Sequence, residues 1–378
     1  MAQRRIFDAY LTEEGADFAE NGKRTLGNRL RSEAEKAAEE WRAELHRFLP
    51  TKADVEELPA GSWLLRLEFN LAKPFSSKAE DEFHPFEERE GRWLEMHNPL
   101  ALDHLTGLPL VQPTTWKGHL RFAAGMAGIE ETTINRLFGS SRGGESGQAG
   151  RLHFFPTFWD SVSKDEQGHI ARAVATPLYR DTRTPVQGRA PINIEVVPAG
   201  TKGIFCLLYI PYPRGKDWSA EQIVEDLQAS AEAVKAMLLE YGFSAKKTAG
   251  WGIAQNELGP ENGKLIIKGA LTSEAGQQSF LEPDVAFLKF MDDQGAVKSD
   301  YLGIDGNPLS KSQYRKRREG DTAIFEAFKS WYQEHGKEWV CRRTGKIAAY
   351  EEQIYNITDL EMVVERLIGQ KKEAANHA

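Results

Sequence analysis

Seven consecutive apolar residues, Ile204 to Ile210, constrain the fold more than any other stretch. A run this short, without a polar face, predicts a central β-strand covered on both sides. Its natural partner lies upstream. Trp63, Leu65, Leu67, Phe69 and Leu71 alternate with Leu64, Arg66, Glu68 and Asn70, which predicts a strand with one buried face. Residues 192–197 and 263–269 also read as strands. Between these segments the period changes. Trp116, Leu120, Ala124 and Ala127 predict a helix over 115–128. Residues 219–241 predict a longer one, with Ser219 and Gln222 as a capping box and Gly242 as the stop. The order strand, helix, strands, helix, strand fits an α+β, ferredoxin-like (RRM-like) core.

The flanks are helical by the same reasoning. Leu26, Leu30, Ala34, Ala37, Trp41, Leu45 and Phe48 recur at three- and four-residue steps before the Pro59-Ala60-Gly61 turn. Phe325, Phe328, Trp331 and Tyr332 mark another helix, and 360–368 a last one. We therefore divide the chain into an N-terminal helical extension (1–60), a core (61–280) and a C-terminal helical region (281–378). The core carries a long acidic and polar insertion at 72–113, and an insertion of that length is usually functional or partly disordered.

With 378 residues, 40% of them hydrophobic, the chain can bury a proper core. No run of 18 apolar residues occurs, so no transmembrane helix is expected. Met1 to Phe7 is polar and lacks an apolar signal core, and the expected location is the cytoplasm. Two cysteines, Cys206 and Cys341, make neither a disulfide framework nor a zinc site. The net charge of −8 argues mildly against a polyanionic ligand. The cations are clustered, however, at Arg29 and Arg31, Lys117 and Arg121, Arg180 with Arg183 and Arg189, Lys246 and Lys247, and 311–318. A local footprint outweighs whole-chain charge.

One cluster stands in a setting suited to phosphate. A loop turning at Thr106-Gly107 runs into Pro113, followed by Thr114 and Thr115 where an N-cap is expected. Lys117 and Arg121 then lie four residues apart on one helical face, with Gly118 between them. Backbone N–H groups, hydroxyls and two cations at a helix start form a phosphate cradle. The ordinary alternative is a pair of surface cations. Downstream, a glycine-rich loop at 139–150 contains Arg142, Gly143 and Gly144. It reads either as a linker or as a place for close backbone approach, and it lacks the Gly-Lys-Ser/Thr of a P-loop. Trp251, beside Gly250, reads as a turn aromatic or as a base-stacking platform.

These features resemble the RAMP superfamily, the RNA-guide-binding subunits of CRISPR effector complexes. The family signature is a proline, a small residue, two serines, an apolar residue and Lys-Gly-x-x-Arg. The chain has Gln112-Pro113 in place of the proline and small residue, then Thr114, Thr115, Trp116 in place of the usual leucine, Lys117, Gly118 and Arg121. Leu137-Phe138-Gly139 before the glycine-rich loop, Arg180 to Thr184, Glu195 to Thr201, and Ala249 to Gly252 follow in family order. The resemblance implies a RAMP core and RNA contact through Thr114, Thr115, Lys117, Gly118, Arg121, Arg142, Gly143, Gly144, Arg180, Arg183, Gly250 and Trp251. It implies guide RNA, target RNA, other RAMP subunits and the large polymerase-like subunit as partners, with no membrane. The helical extension most resembles the Cmr-type subunit at the guide 3′ end of type III complexes. Target-cleaving members carry an aspartate where His97 stands here. A guide-binding structural subunit is therefore the first expectation, and an endoribonuclease the alternative. His97, Asp103 and Glu95 would be candidates for cleavage of target RNA, and His97, His104 and His119 for metal-free processing of precursor RNA. No cofactor is expected, except magnesium if target RNA is cut.

Overall fold

The computed structural model describes residues 20–77, 86–103, 105–140, 147–159, 171–177, 179, 181–182, 184–214, 218–269, 283–293, 295–303, 308–317, 321–343 and 349–376. The elements in chain order are α1 (Glu20–Trp41), a 3-10 turn (Arg42–Phe48), α2 (Lys52–Glu56), β1 (Trp63–Asn70), β2 (Phe86–Arg89), β3 (Arg92–Glu95), β4 (Leu110–Val111), α3 (Pro113–Met126) and α4 (Glu131–Phe138). Then come β5 (Leu152–Phe154), β6 (Thr157–Phe158), β7 (Arg172–Ala175), β8 (Ile192–Glu195), β9 (Lys202–Tyr209), α5 (Glu221–Ala236) with a π turn at Met237–Tyr241, β10 (Gly263–Lys268), α6 (Lys311–Arg317), α7 (Thr322–Arg343), β11 (Ala349–Gln353) and α8 (Leu360–Asn376). Among the described residues no helix is long and apolar enough to cross a membrane.

The main sheet has the order β11-β10-β1-β9-β5, and every neighbouring pair is antiparallel. Register follows the side-chain pattern. Leu65 lies opposite Leu207 on one side and Leu265 on the other, so the apolar sets of three strands share one face. On that face Trp63, Leu65, Leu67 and Phe69 pack against α3, α5 and α8 through Trp116, Leu120, Leu227 and Val364, among others. Each fully buried side chain of this size contributes about 1.5–3 kcal/mol. The opposite face buries Leu64, Cys206 and Ile266 under Leu49 and Val55 of the N-terminal segment. The continuous apolar run of β9 is thereby explained: Phe205, Leu207 and Tyr209 face the helices, and Cys206 faces the other layer.

Two helix starts differ from the sequence expectation. The N-cap of α3 is Gln112, and Thr114 and Thr115 lie inside the first turn, because Pro113 takes the first helical position its fixed φ favours. The cap of α5 is Ala220, and no capping box forms. The Gln222 carboxamide oxygen instead accepts from Arg151 Nη2 at 2.9 Å. That bond belongs to a buried polar cluster. Asp226 accepts from Arg136 Nε (2.6 Å), Arg151 Nη1 (3.0 Å) and the Tyr209 hydroxyl (2.8 Å). Burial first, and the Asp226 carboxylate second, push the Tyr209 phenol well above its usual range.

The described residues of 72–113 are structured. They contain the β2–β3 hairpin and β4, which pairs with β6. Helix α1 packs across this region. Glu195 is fully buried, pairs with Arg31 of α1 and accepts from the Leu100 N–H at 3.0 Å. A Cβ on Gly107, whose φ is +70°, would lie 2.2 Å from the Ala34 carbonyl oxygen of α1. Only glycine permits this close approach. Near the C-terminus, Phe290, Tyr314, Phe325, Phe328 and Trp331 form a separate aromatic cluster, with Tyr314 and Phe325 stacked 4.0 Å apart.

Candidate nucleic-acid interface

The exposed face of α3 follows from its composition. Trp116, Leu120, Ala123 and Ala124 are drawn into the core, leaving Thr114, Lys117, Gly118, Phe122, Gly125 and Met126 toward solvent. Trp116 is anchored further by its indole N–H, which donates to Thr157 Oγ1 at 3.1 Å. Lys117 is exposed and has no hydrogen-bond or ion-pair partner among the described residues.

Arg121 is different. Its Nη1 donates to the Gly139 carbonyl (2.9 Å), and its Nη2 to Asn135 Oδ1 (3.2 Å) and Glu131 (3.5 Å). It braces the end of α4, where the glycine-rich segment begins. The first-turn donors are also fewer than a free helix start offers. Pro113 has none, and Thr115 and Trp116 N–H both donate to the Gln112 carbonyl, at 2.9 and 3.1 Å. The Thr114 N–H remains.

The neck of the glycine-rich loop is closed. Gly139 bridges Ala149, and the Arg151 N–H donates to the Arg136 carbonyl at 3.1 Å. Gly150 passes so near Phe138 that a Cβ would lie 2.4 Å from its carbonyl carbon. Arg142, Gly143, Gly144, Arg180, Arg183 and His104 lie outside the described residues. Gly250 adopts φ +73° in the late turn, and Trp251 packs beside Ala171, Ile194 and Val196. Lys246 Nζ stands 5.1 Å from the Trp251 ring centre.

Of the candidate cleavage residues, Glu95 and His97 adjoin at Asn193, and Asp103 lies in its own turn. His97 is exposed, and its N–H donates to the Asn193 carbonyl at 3.1 Å. Asp103 closes its own turn: its carboxylate accepts from the N–H groups of Leu105 (3.2 Å) and Thr106 (2.8 Å). Glu95 ends β3, half-buried, and its carbonyl accepts from Asn193 Nδ2 at 3.3 Å. Among the described residues no three His, Cys, Asp or Glu side chains converge. His119 is held down to about pKa 4, by burial first and then by the Lys247 ammonium. It is neutral at pH 7 and a weak base there.

The chain thus carries an antiparallel sheet with helices on one face, a cation-bearing helix after a proline and a glycine-rich return. Residues 95–255, from Glu95 through α3 to the late glycine turn, match the family model of the RAMP superfamily. Two solved structures are similar. One is a chain of "Type III-B Cmr-beta bound to cognate target RNA", at 15% identity and TM-score 0.37, covering 58% of this chain and 65% of that one. The other is a chain of a "Type IV-B CRISPR Complex", at 14% identity and TM-score 0.31, covering 61% and 99%. This chain thus spans 65% of the length of the Cmr-beta chain it matches. No curated protein matches it.

Proposed function

We propose that the chain is a guide-RNA-holding, architectural subunit of a type III CRISPR effector complex, most like the Cmr-type subunit at the guide 3′ end. Its partners would be the guide, its target RNA, neighbouring RAMP subunits and the large polymerase-like subunit. The observation that carries this reading is Lys117, an exposed ammonium on the solvent face of α3 without a partner among the described residues. The Thr114 N–H lies on the same first turns, and Gly118 adds no obstruction. Such a site pairs with phosphate oxygens and leaves bases free to pair with a target. The strand order supports a ferredoxin-like core. Taking β1, β5, β9 and β10 as strands one to four, they lie in the order 4-1-3-2, with α3 and α5 as the two crossover helices.

The test is binding of guide RNAs with unrelated sequences to the full chain and to Lys117→Ala. Affinity should fall about equally for all guides. The slope of log K against log salt should shrink by about 0.7, the value for one contact to a single strand. A loss confined to one guide sequence overturns the reading.

A further inference from the structure

The exposed arc of α3 has two edges. Lys117 and Arg121 line one. Phe122 and Met126 line the other, 43% and 54% exposed. Between them lie Gly118 and Gly125, where an added Cβ would meet nothing within 4 Å. The second edge is organised. Tyr241 meets the Phe122 ring edge-on, with centroids 5.7 Å apart and planes at 89°. Lys247 Nζ lies 3.8 Å from the ring centre. The ring is therefore held in place from two sides while much of it stays open to solvent. Lys246, next in sequence, stands over the Trp251 ring instead, so the patch combines a fixed aromatic surface with the Lys247 ammonium.

We propose that Phe122 and Lys247 form a base-stacking contact for single-stranded RNA, the base lying on the open part of the Phe122 ring and the adjoining phosphates facing Lys247 and Lys117. This rests on the RNA-binding reading above and adds to it a contact to a base. Charge complementarity selects the occupant: an exposed apolar ring with the Lys247 ammonium 3.8 Å from its centre suits a flexible polyanion with flat apolar faces. A base stacked there is unavailable for pairing, so this contact favours a single strand over a duplex.

The experiment uses the full chain with a single-stranded RNA of mixed sequence, the same RNA with abasic residues, and its duplex. Phe122→Leu should weaken binding of the intact single strand about tenfold with the salt slope unchanged. Phe122→Trp should restore binding. Against abasic RNA the wild type and Phe122→Leu should bind alike, and the wild type should prefer single strand to duplex. Equal binding of the intact strand by wild type and Phe122→Leu overturns the proposal, as does an equal loss on abasic RNA. Unchanged RNA affinity in Phe122→Leu, with loss of a neighbouring subunit on co-purification, makes the patch a protein contact and also overturns it. If Lys117→Ala weakens binding and Phe122→Leu does not, the proposed function stands without this contact. If the wild type binds no RNA, both fall.

Discussion

Lys117 and Arg121 stand four residues apart on one helix, yet their cations do different work. Arg121 is held by Asn135, Glu131 and the Gly139 carbonyl, all supplied by the return of α4 alongside α3. Spacing placed both residues on one face, but no spacing rule reveals that a later helix will engage one of them. His119, on the flank of the same helix, gives a measurable consequence. Its folded pKa of about 4 lies below the unfolded value of about 6.5. The unfolded chain therefore takes up the proton first as pH falls. The stability tied to a neutral His119 is full above about pH 6.5 and is lost as pH drops through about 4. Partial exposure screens the effect, leaving about 1–2 kcal/mol. Urea unfolding of wild type and His119→Gln at several pH values should show the difference between them changing by that amount across this window. A constant difference would show that His119 is not coupled to folding.

Among the elements, β1 and β9 are the most legible, because alternation and an unbroken apolar run each imply one kind of burial. Helix α3 is legible in extent and misread at its start, since proline at the first position displaced the better capping residues by two places. The role of Glu195 is not legible. A carboxylate in a strand next to a turn reads as exposed, and only the docking of α1 brings Arg31 to it. Together with Gly107 against Ala34 and the Phe86 N–H donating to Asn28 Oδ1 (2.9 Å), this pair fastens α1 over the segment leading into α3. Glu195→Ala removes the buried partner of Arg31 and should cost about 3–5 kcal/mol. Hydrogen exchange should show the loss first in α1 and residues 98–103. Unchanged protection there, with unchanged stability, would mean the pair does not fasten the helix.

On the scale of the molecule, the acidic total of −8 coexists with local cation clusters along the sequence, so the sum alone does not describe any one surface. The C-terminal part follows a similar lesson. The range 281–378 reads as helical, and β11 lies within it as an edge strand of the sheet, antiparallel to β10. Ala349-Tyr350-Glu351-Glu352-Gln353 has no apolar alternation to announce a strand. It is held instead by backbone pairing and by contacts such as Lys264 with Glu351 at 3.0 Å. Lys268 pairs with Ala349, so the segment between β10 and β11 leaves and re-enters the sheet at neighbouring positions. Replacing residues 271–347 with a short Gly-Ser turn should preserve the sheet, judged by circular dichroism and cooperative melting. Truncation after Lys268 should not, because it also strips α8 from α5, with Leu360, Val364 and Leu367. If the two variants melt alike, β11 and α8 are dispensable.

That connection also sets a clock on the ribosome. Strand β10 ends at Lys268 and β11 begins at Ala349, about 80 residues later. At about 5–20 residues per second, β10 waits roughly 4–16 seconds for its neighbour. During that interval its backbone edge is bare and the flank of α5 has no cover. The nascent sheet must therefore pass through a period when any other extended segment can take the place of β11. Slow decoding between the two strands would lengthen this exposure, and a fast stretch there would shorten it.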